Sequence, residues 1–202
     1  LDRRYCSILL RCIGITGLIG LVSACQPPVS GEAVGIQYPM VYMQLSQQEL
    51  PLQLGIPVEG VTARQIQDTW GAARSEGRTH QGVDIFAKRG TPVLSSTVGI
   101  VSQIGTNNLG GKVVWVLGPN LSRHYYAHLD NYAENIAEGD WVDVGEVIGY
   151  VGNTGNAQST PPHLHYGIYL SGQGAVNPYP YLKFTQTSKS TDIHNSNDFS
   201  ES

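Results

Sequence analysis

Four histidines and one aspartate stand out because their spacing suits metal binding and proton transfer. His80-Gln81-Gly82-Val83-Asp84 places His80, Gly82 and Asp84 on one face if the run is a strand, since side chains alternate there. Gly82 would leave a slot between two potential ligands, where an ion could sit. His163-Leu164-His165 puts two imidazoles on one face with Leu164 behind them, and Pro161 and Pro162 fit the start of a strand. Of those two, one can ligate while the other faces a substrate. In Tyr125-Tyr126-Ala127-His128-Leu129, strand alternation would set Tyr126, His128 and Asp130 on a common face. His124 matches none of these patterns and reads as a surface or groove-edge residue. His194 lies in a polar C-terminal stretch and reads as a solvated bystander. Cys6, Cys12 and Cys25 all lie in the first 25 residues, so any metal in the body of the chain must be held by histidine and carboxylate.

The elements that must position these groups read as β-strands. Of 202 residues, 24 are glycine and 11 proline, with 41% hydrophobic and 14% charged, a mix that favours a turn-rich β protein over a helical bundle. Strand-like runs cover Thr91 to Ile104, Lys112 to Leu117, Ser122 to Leu129, Trp141 to Val151 and Leu164 to Leu170, separated by glycine turns. No long stretch has a 3.6-residue apolar period, and Arg64 to Trp70 is the one short helix expected in the body. The expected fold is mainly β, with antiparallel open sheets or a partial barrel and few short helices. Gly90-Thr91-Pro92-Val93, leading to Gly99-Ile100-Val101, is echoed by Gly139-Asp140-Trp141-Val142, leading to Gly145 through Gly149. The echo reads either as an old duplication or as two similar hairpins.

The flanks differ from this body. Arg3, Arg4 and Arg11 precede an apolar run, Cys12 to Val22, that is short for a membrane span, and Val22-Ser23-Ala24-Cys25 follows. This end resembles the bacterial lipobox, which makes Cys25 the lipidated first residue of the mature chain. The expected organisation is a signal peptide at 1–24, a lipidated cysteine and tether at 25–56, the functional domain at 57–183, and a disordered polar tail at 184–202. Tyr38 to Leu54 is apolar enough to pack on the domain. The formal charge of −4 gives no footprint for nucleic acid.

The motifs together resemble the lysostaphin-type (LytM-like) zinc peptidases of bacterial cell-wall metabolism. The resemblance runs from about Trp70 to Leu182. It rests on His80 to Ile85, Gly90 to Val93, Tyr126 to Leu129, Gly149-Tyr150-Val151-Gly152-Asn153-Thr154-Gly155, Pro162-His163-Leu164-His165-Tyr166, and the closing Val176 to Leu182. It implies that His80, Asp84 and His165 ligate one zinc ion per chain and that His128 and His163 are the catalytic pair; Tyr126 reads either as a residue that orients substrate or as a packing aromatic, and Asn153 as a candidate substrate contact. Two neutral imidazoles and one carboxylate would leave a net charge near +1 and an open position for water. Zinc would lower the pKa of that water towards ~7 and polarise a scissile carbonyl. One histidine can then take the proton and the other donate to the oxyanion, with the order between His128 and His163 open. There is no His-Glu-x-x-His helix to supply a glutamate base.

The implied function is hydrolysis of peptide bonds in peptidoglycan stem peptides or cross-links, by an exported chain that acts as a monomer, with a regulatory partner conceivable. The membrane partner is reached through the N-terminal lipid. In a Gram-negative cell, Gln26 after the cysteine favours the outer membrane over the inner, with the domain facing the periplasm. Two other readings compete. Gly139 to Gly149 looks like the hairpin of biotinyl or lipoyl carriers, but no lysine sits at the tight turn those carriers modify. A non-catalytic wall-binding or zinc-binding lipoprotein that regulates wall hydrolysis would lack some of the ligands or catalytic histidines, whereas every expected position is filled.

Overall fold

The computed structural model describes residues 37–183. The leader, Cys25 and the polar tail lie outside the described residues.

Nine strands form one antiparallel sheet system: β1 (Val83–Phe86), β2 (Pro92–Leu94), β3 (Gly99–Asn107), β4 (Gly111–Leu117), β5 (Arg123–Tyr132), β6 (Trp141–Val142), β7 (Val147–Val151), β8 (His163–Leu170) and β9 (Gly174–Val176). The main path runs β1-β8-β5-β4-β3-β6, while β7 pairs with both β2 and β5, and β9 extends β8. Among the described residues two α-helices flank it: α1 (Pro39–Ser46) and α2 (Tyr179–Lys183). This is the mainly antiparallel β architecture that composition and turn spacing predict.

Period-two alternation makes the core. Val83 and Ile85 of β1, Tyr126 of β5, and Leu164, Tyr166 and Ile168 of β8 point to one side and are buried together. The opposite side of β1 and β8 is left for the functional groups. The register sets Asp84 across from His165 and Phe86 across from His163. Partner residues on paired strands project to the same face, so these four side chains stand together.

The sequence echo is structural. β2 pairs with β7 and β6 pairs with β3, in equivalent registers: Val93 faces Gly149 as Val142 faces Gly99, and Pro92 faces Tyr150 as Trp141 faces Ile100. Gly90 N–H donates to Val151 O as Gly139 N–H donates to Val101 O, both at 2.8 Å. Two similar units therefore interlock, each lending its first strand to the other's second.

Two expectations change. Arg64 to Trp70 is not a helix: only a 3₁₀ turn forms at Ala63–Gln65, and Ile66 leaves it in an extended conformation to enter the core. The packed body also begins before residue 57. Leu45 of α1 is fully buried against Ile100 and Leu117, Leu54 is buried in the main core, and Gly55 N–H donates to Ser96 O at 2.9 Å.

Candidate active site

His80 stands at the foot of a short hairpin, where its N–H donates to Ala72 O and its carbonyl accepts from Gly71 N–H, both at 2.9 Å. Its Nδ1 lies 2.7 Å from Thr69 O. A carbonyl can only accept, so Nδ1 carries the proton and Nε2 is left bare. Thr69 also accepts the Asp84 N–H on its hydroxyl at 3.1 Å, which couples the two residues' positions. The bare His80 Nε2 lies 3.0 Å from Asp84 Oδ1 and 2.8 Å from His165 Nδ1, and that Nδ1 lies 3.1 Å from the same Oδ1. Three ligand atoms thus lie within 4.8 Å of one another. Arg74, on the hairpin above His80, pairs with the outer oxygen of the carboxylate, Asp84 Oδ2, and leaves Oδ1 to the histidines.

Two imidazole nitrogens and a carboxylate oxygen form a donor set suited to zinc with an open fourth position. Burial pushes the Asp84 carboxyl up, but the facing His165 and His80 rings outweigh it and keep Asp84 well below the usual carboxylate range. Burial lowers His165, against the pull of Asp84. Both effects leave the deprotonated forms that a metal requires. The slot expected at Gly82 is filled: a Cβ there would lie 2.7 Å from the His165 ring and 2.6 Å from Tyr166 O. Gly82 lets the His165 imidazole lie against the backbone.

The second histidine pair adjoins this cluster. The His128 and His163 ring centroids are 5.0 Å apart, and His128 is 5.9 Å from His165. His128 Nδ1 donates to Thr154 O at 2.8 Å, and His163 Nδ1 donates to Pro161 O at 2.9 Å. Each ring is therefore fixed with its Nε2 free to act. His163 Nε2 lies 4.0 Å from Asp84 Oδ1. Burial lowers the His128 pKa to about 4, with the Thr154 hydrogen bond opposing, so it is neutral at pH 7 and able to accept a proton.

His128 reaches this face through a break in the strand. Its φ is +64°, a left-handed conformation costly for a residue with a Cβ, and the β5 register shifts just beyond, between Leu129 and Asn131. Simple alternation would have sent His128 into the core with Tyr126. Tyr126, His128 and Asp130 consequently do not share one face. Tyr126 is fully buried, with its hydroxyl on Ser96, so it cannot contact substrate as the sequence suggested. Tyr125 faces the site instead, 5.9 Å from the His165 ring. Asn153 is likewise committed: its carbonyl accepts from Arg89, and its amide donates to Gln158 O and Thr160 O at 3.2 and 3.3 Å. It braces a loop rather than offering its amide to a substrate.

His124, expected at the surface, is fully buried. Its Nδ1 meets the Tyr166 hydroxyl at 2.8 Å and its Nε2 meets Ser122 Oγ at 2.9 Å. Thr69, Arg74, Thr154 and Pro161 support the site and were missed. Three of them act through backbone carbonyls, which every residue possesses, and Arg74 lies in a turn outside any periodic pattern.

The model of peptidase family M23 matches residues 78–178. An L-Ala–D-Glu endopeptidase of Bacillus subtilis is 42% identical over 127 residues, 58% of this chain and 39% of that protein. A DD-carboxypeptidase/endopeptidase, Mpg, of Neisseria meningitidis is 39% identical over 134 residues, 64% of this chain and 28% of that protein. The chain thus spans well under half the length of these relatives. The catalytic domain of lysostaphin from Staphylococcus simulans superposes with a TM-score of 0.53 at 33% identity, covering 59% of this chain and 92% of that domain. With the family model covering both histidine motifs and Asp84, the chain belongs to peptidase family M23.

Proposed function

We propose that this chain is a zinc-dependent endopeptidase that hydrolyses peptide bonds in the stem peptides or cross-links of peptidoglycan. One observation carries the reading: the bare Nε2 of His80, Asp84 Oδ1 and His165 Nδ1 converge beside two further imidazoles held with Nε2 free. The ligands are His80, Asp84 and His165. When bound, zinc supplies a Lewis acid that polarises the scissile carbonyl and acidifies the attacking water. His128, neutral at pH 7, accepts the water proton on Nε2 and returns it to the leaving amine. His163 stands on the Asp84 side of the cleft with Nε2 facing it, and with both ring nitrogens protonated it can donate from Nε2 to the carbonyl oxygen as negative charge develops there. Tyr125 and the exposed Phe86, whose ring lies 5.2 Å from His163, flank the site.

The relatives' names, which specify L-Ala–D-Glu and DD peptide bonds, support this substrate class. Export on a lipid at Cys25, and action from the outer membrane on D-Ala to diaminopimelate cross-links in a Gram-negative periplasm, extend the proposal. Mass analysis of sacculi digested with the full chain tests it. Loss of cross-linked dimers supports the DD reading, shortened stems support the L-Ala–D-Glu reading, and an unchanged profile refutes both. A non-catalytic regulatory role is not favoured, because no ligand or proton-transfer position is vacant.

A further inference from the structure

The Nδ1 acceptors of both histidines of the proton-transfer pair, Thr154 O and Pro161 O, belong to one loop between β7 and β8. The imidazoles offer Nε2 to the cleft only while these two carbonyls hold the Nδ1 protons. The loop is braced from inside by Asn153, whose amide ties Gln158 O and Thr160 O, and from β5 by the Thr154 hydroxyl, which donates to Leu129 O at 2.8 Å. The outermost member of this assembly is Arg89, on the turn between β1 and β2. One arm of its guanidinium donates to Asn153 Oδ1, and the other to Asp130 Oδ1. Asp130 follows His128 by two residues, on the stretch of β5 whose register shifts after the left-handed residue. The turn that bears Arg89 is itself tied to β7, by Gly90 N–H to Val151 O. A single planar fork thus spans the two segments that must stay aligned, the strand that presents His128 and the loop that orients His128 and His163.

We propose that Arg89 is a positioning residue for this histidine pair, acting through Asp130 and Asn153 to keep both imidazoles in the Nδ1–H tautomer with Nε2 facing the reacting bond. The inference rests on the proposed assignment of His128 and His163 to proton transfer. Lysine would not replace Arg89 fully, because an ammonium lacks the two-armed planar donor set that reaches both partners.

The test compares the zinc-loaded full chain with Arg89→Met, Arg89→Lys, Asn153→Ala and the Arg89→Met/Asn153→Ala double variant. Imidazole ¹⁵N spectra report the tautomers, chelator competition reports zinc affinity, and peptide release from sacculi reports kcat and KM. Arg89→Met is expected to lower kcat about 10-fold to 100-fold, a part of what general acid–base groups contribute. KM and zinc affinity should stay within about twofold, since Arg89 touches no ligand in the structure. His128 and His163 should shift towards mixed tautomers while His80 and His165 do not. The double variant should be no worse than the more damaging single one, because both break the same link, and Arg89→Lys should recover only part of the loss. Unchanged tautomers in Arg89→Met, or fully additive losses in the double variant, would overturn the inference. If the parent protein cuts nothing, the proposed function fails, while the tautomer spectra still decide the role of Arg89.

Discussion

Replacing His124 with glutamine should flatten the acid limb of the stability curve, because His124 is locked neutral by hydrogen bonds of fixed direction. Ser122 Oγ donates to Pro119 O at 2.7 Å, so it must accept from His124 Nε2–H. His124 Nδ1 is then bare and accepts from the Tyr166 hydroxyl. Tyr166 in turn accepts from Ser96 Oγ at 2.6 Å, and Ser96 Oγ accepts from Tyr126 at 2.8 Å. Protonating Nδ1 would put two donors face to face in the core. Burial lowers the His124 pKa to about 3. In the unfolded chain it returns to about 6.5, and each unit is worth about 1.4 kcal/mol. The sign follows from linkage: above pH 6.5 both states are neutral and stability is full, whereas below it the unfolded chain gains a proton that the fold refuses. At pH 5 the expected loss from this residue is about 2 kcal/mol, rising to about 4 kcal/mol at pH 3. His124→Gln keeps a donor for Ser122 but leaves the Tyr166 hydroxyl short of an acceptor, so it should cost about 1–3 kcal/mol at pH 7.5. Urea unfolding of both proteins at pH 7.5 and pH 5, in the same metal state, cancels the contribution of the site histidines. The gap between the proteins should narrow by about 2 kcal/mol at pH 5. A gap independent of pH would refute the reasoning.

Three further outcomes follow from single contacts. Arg74→Met frees the outer oxygen of Asp84 and should weaken zinc binding about 10-fold to 100-fold in a chelator competition, as loss of such supporting partners does elsewhere; unchanged affinity would show that the pairing does not orient the ligand. His128→Gly and His128→Ala should both abolish turnover, but the glycine variant should be the more stable by about 1 kcal/mol, because only it is free of the penalty at φ +64°; equal melting temperatures would count against strain there. Tyr126→Phe removes a buried hydroxyl on Ser96 and should cost about 1–2 kcal/mol in urea unfolding with KM unchanged; a raised KM would return Tyr126 to the substrate.

Strand alternation decided which site residues could be placed from sequence. On β1 and β8 the period of two is unbroken, so Asp84, His163 and His165 fall on one face as spacing predicts, with Val83, Ile85 and Leu164 behind. On β5 it fails at one residue. The left-handed backbone at His128 rotates its side chain to the site, and no residue type announced it, since glycine or asparagine would be the usual signal. Counting through that break assigned Tyr126 to the site, when it and His124 both belong to the core face. Asn153 was legible as a motif position but not as a brace, because its partners are the carbonyls of Gln158 and Thr160 and the distant Arg89. The interlocked hairpins were visible as two similar runs, but their exchange of strands depends on long-range pairing that local composition does not encode.

The most direct test of the central claim is release of new amino groups from purified sacculi by the full chain, after chelator treatment and again after restoring zinc. The account predicts no release by the stripped protein, recovery on addition of zinc, and neither zinc binding nor release by His165→Ala. Undiminished cutting by the stripped protein, or release of reducing sugar ends in place of amines, would contradict it.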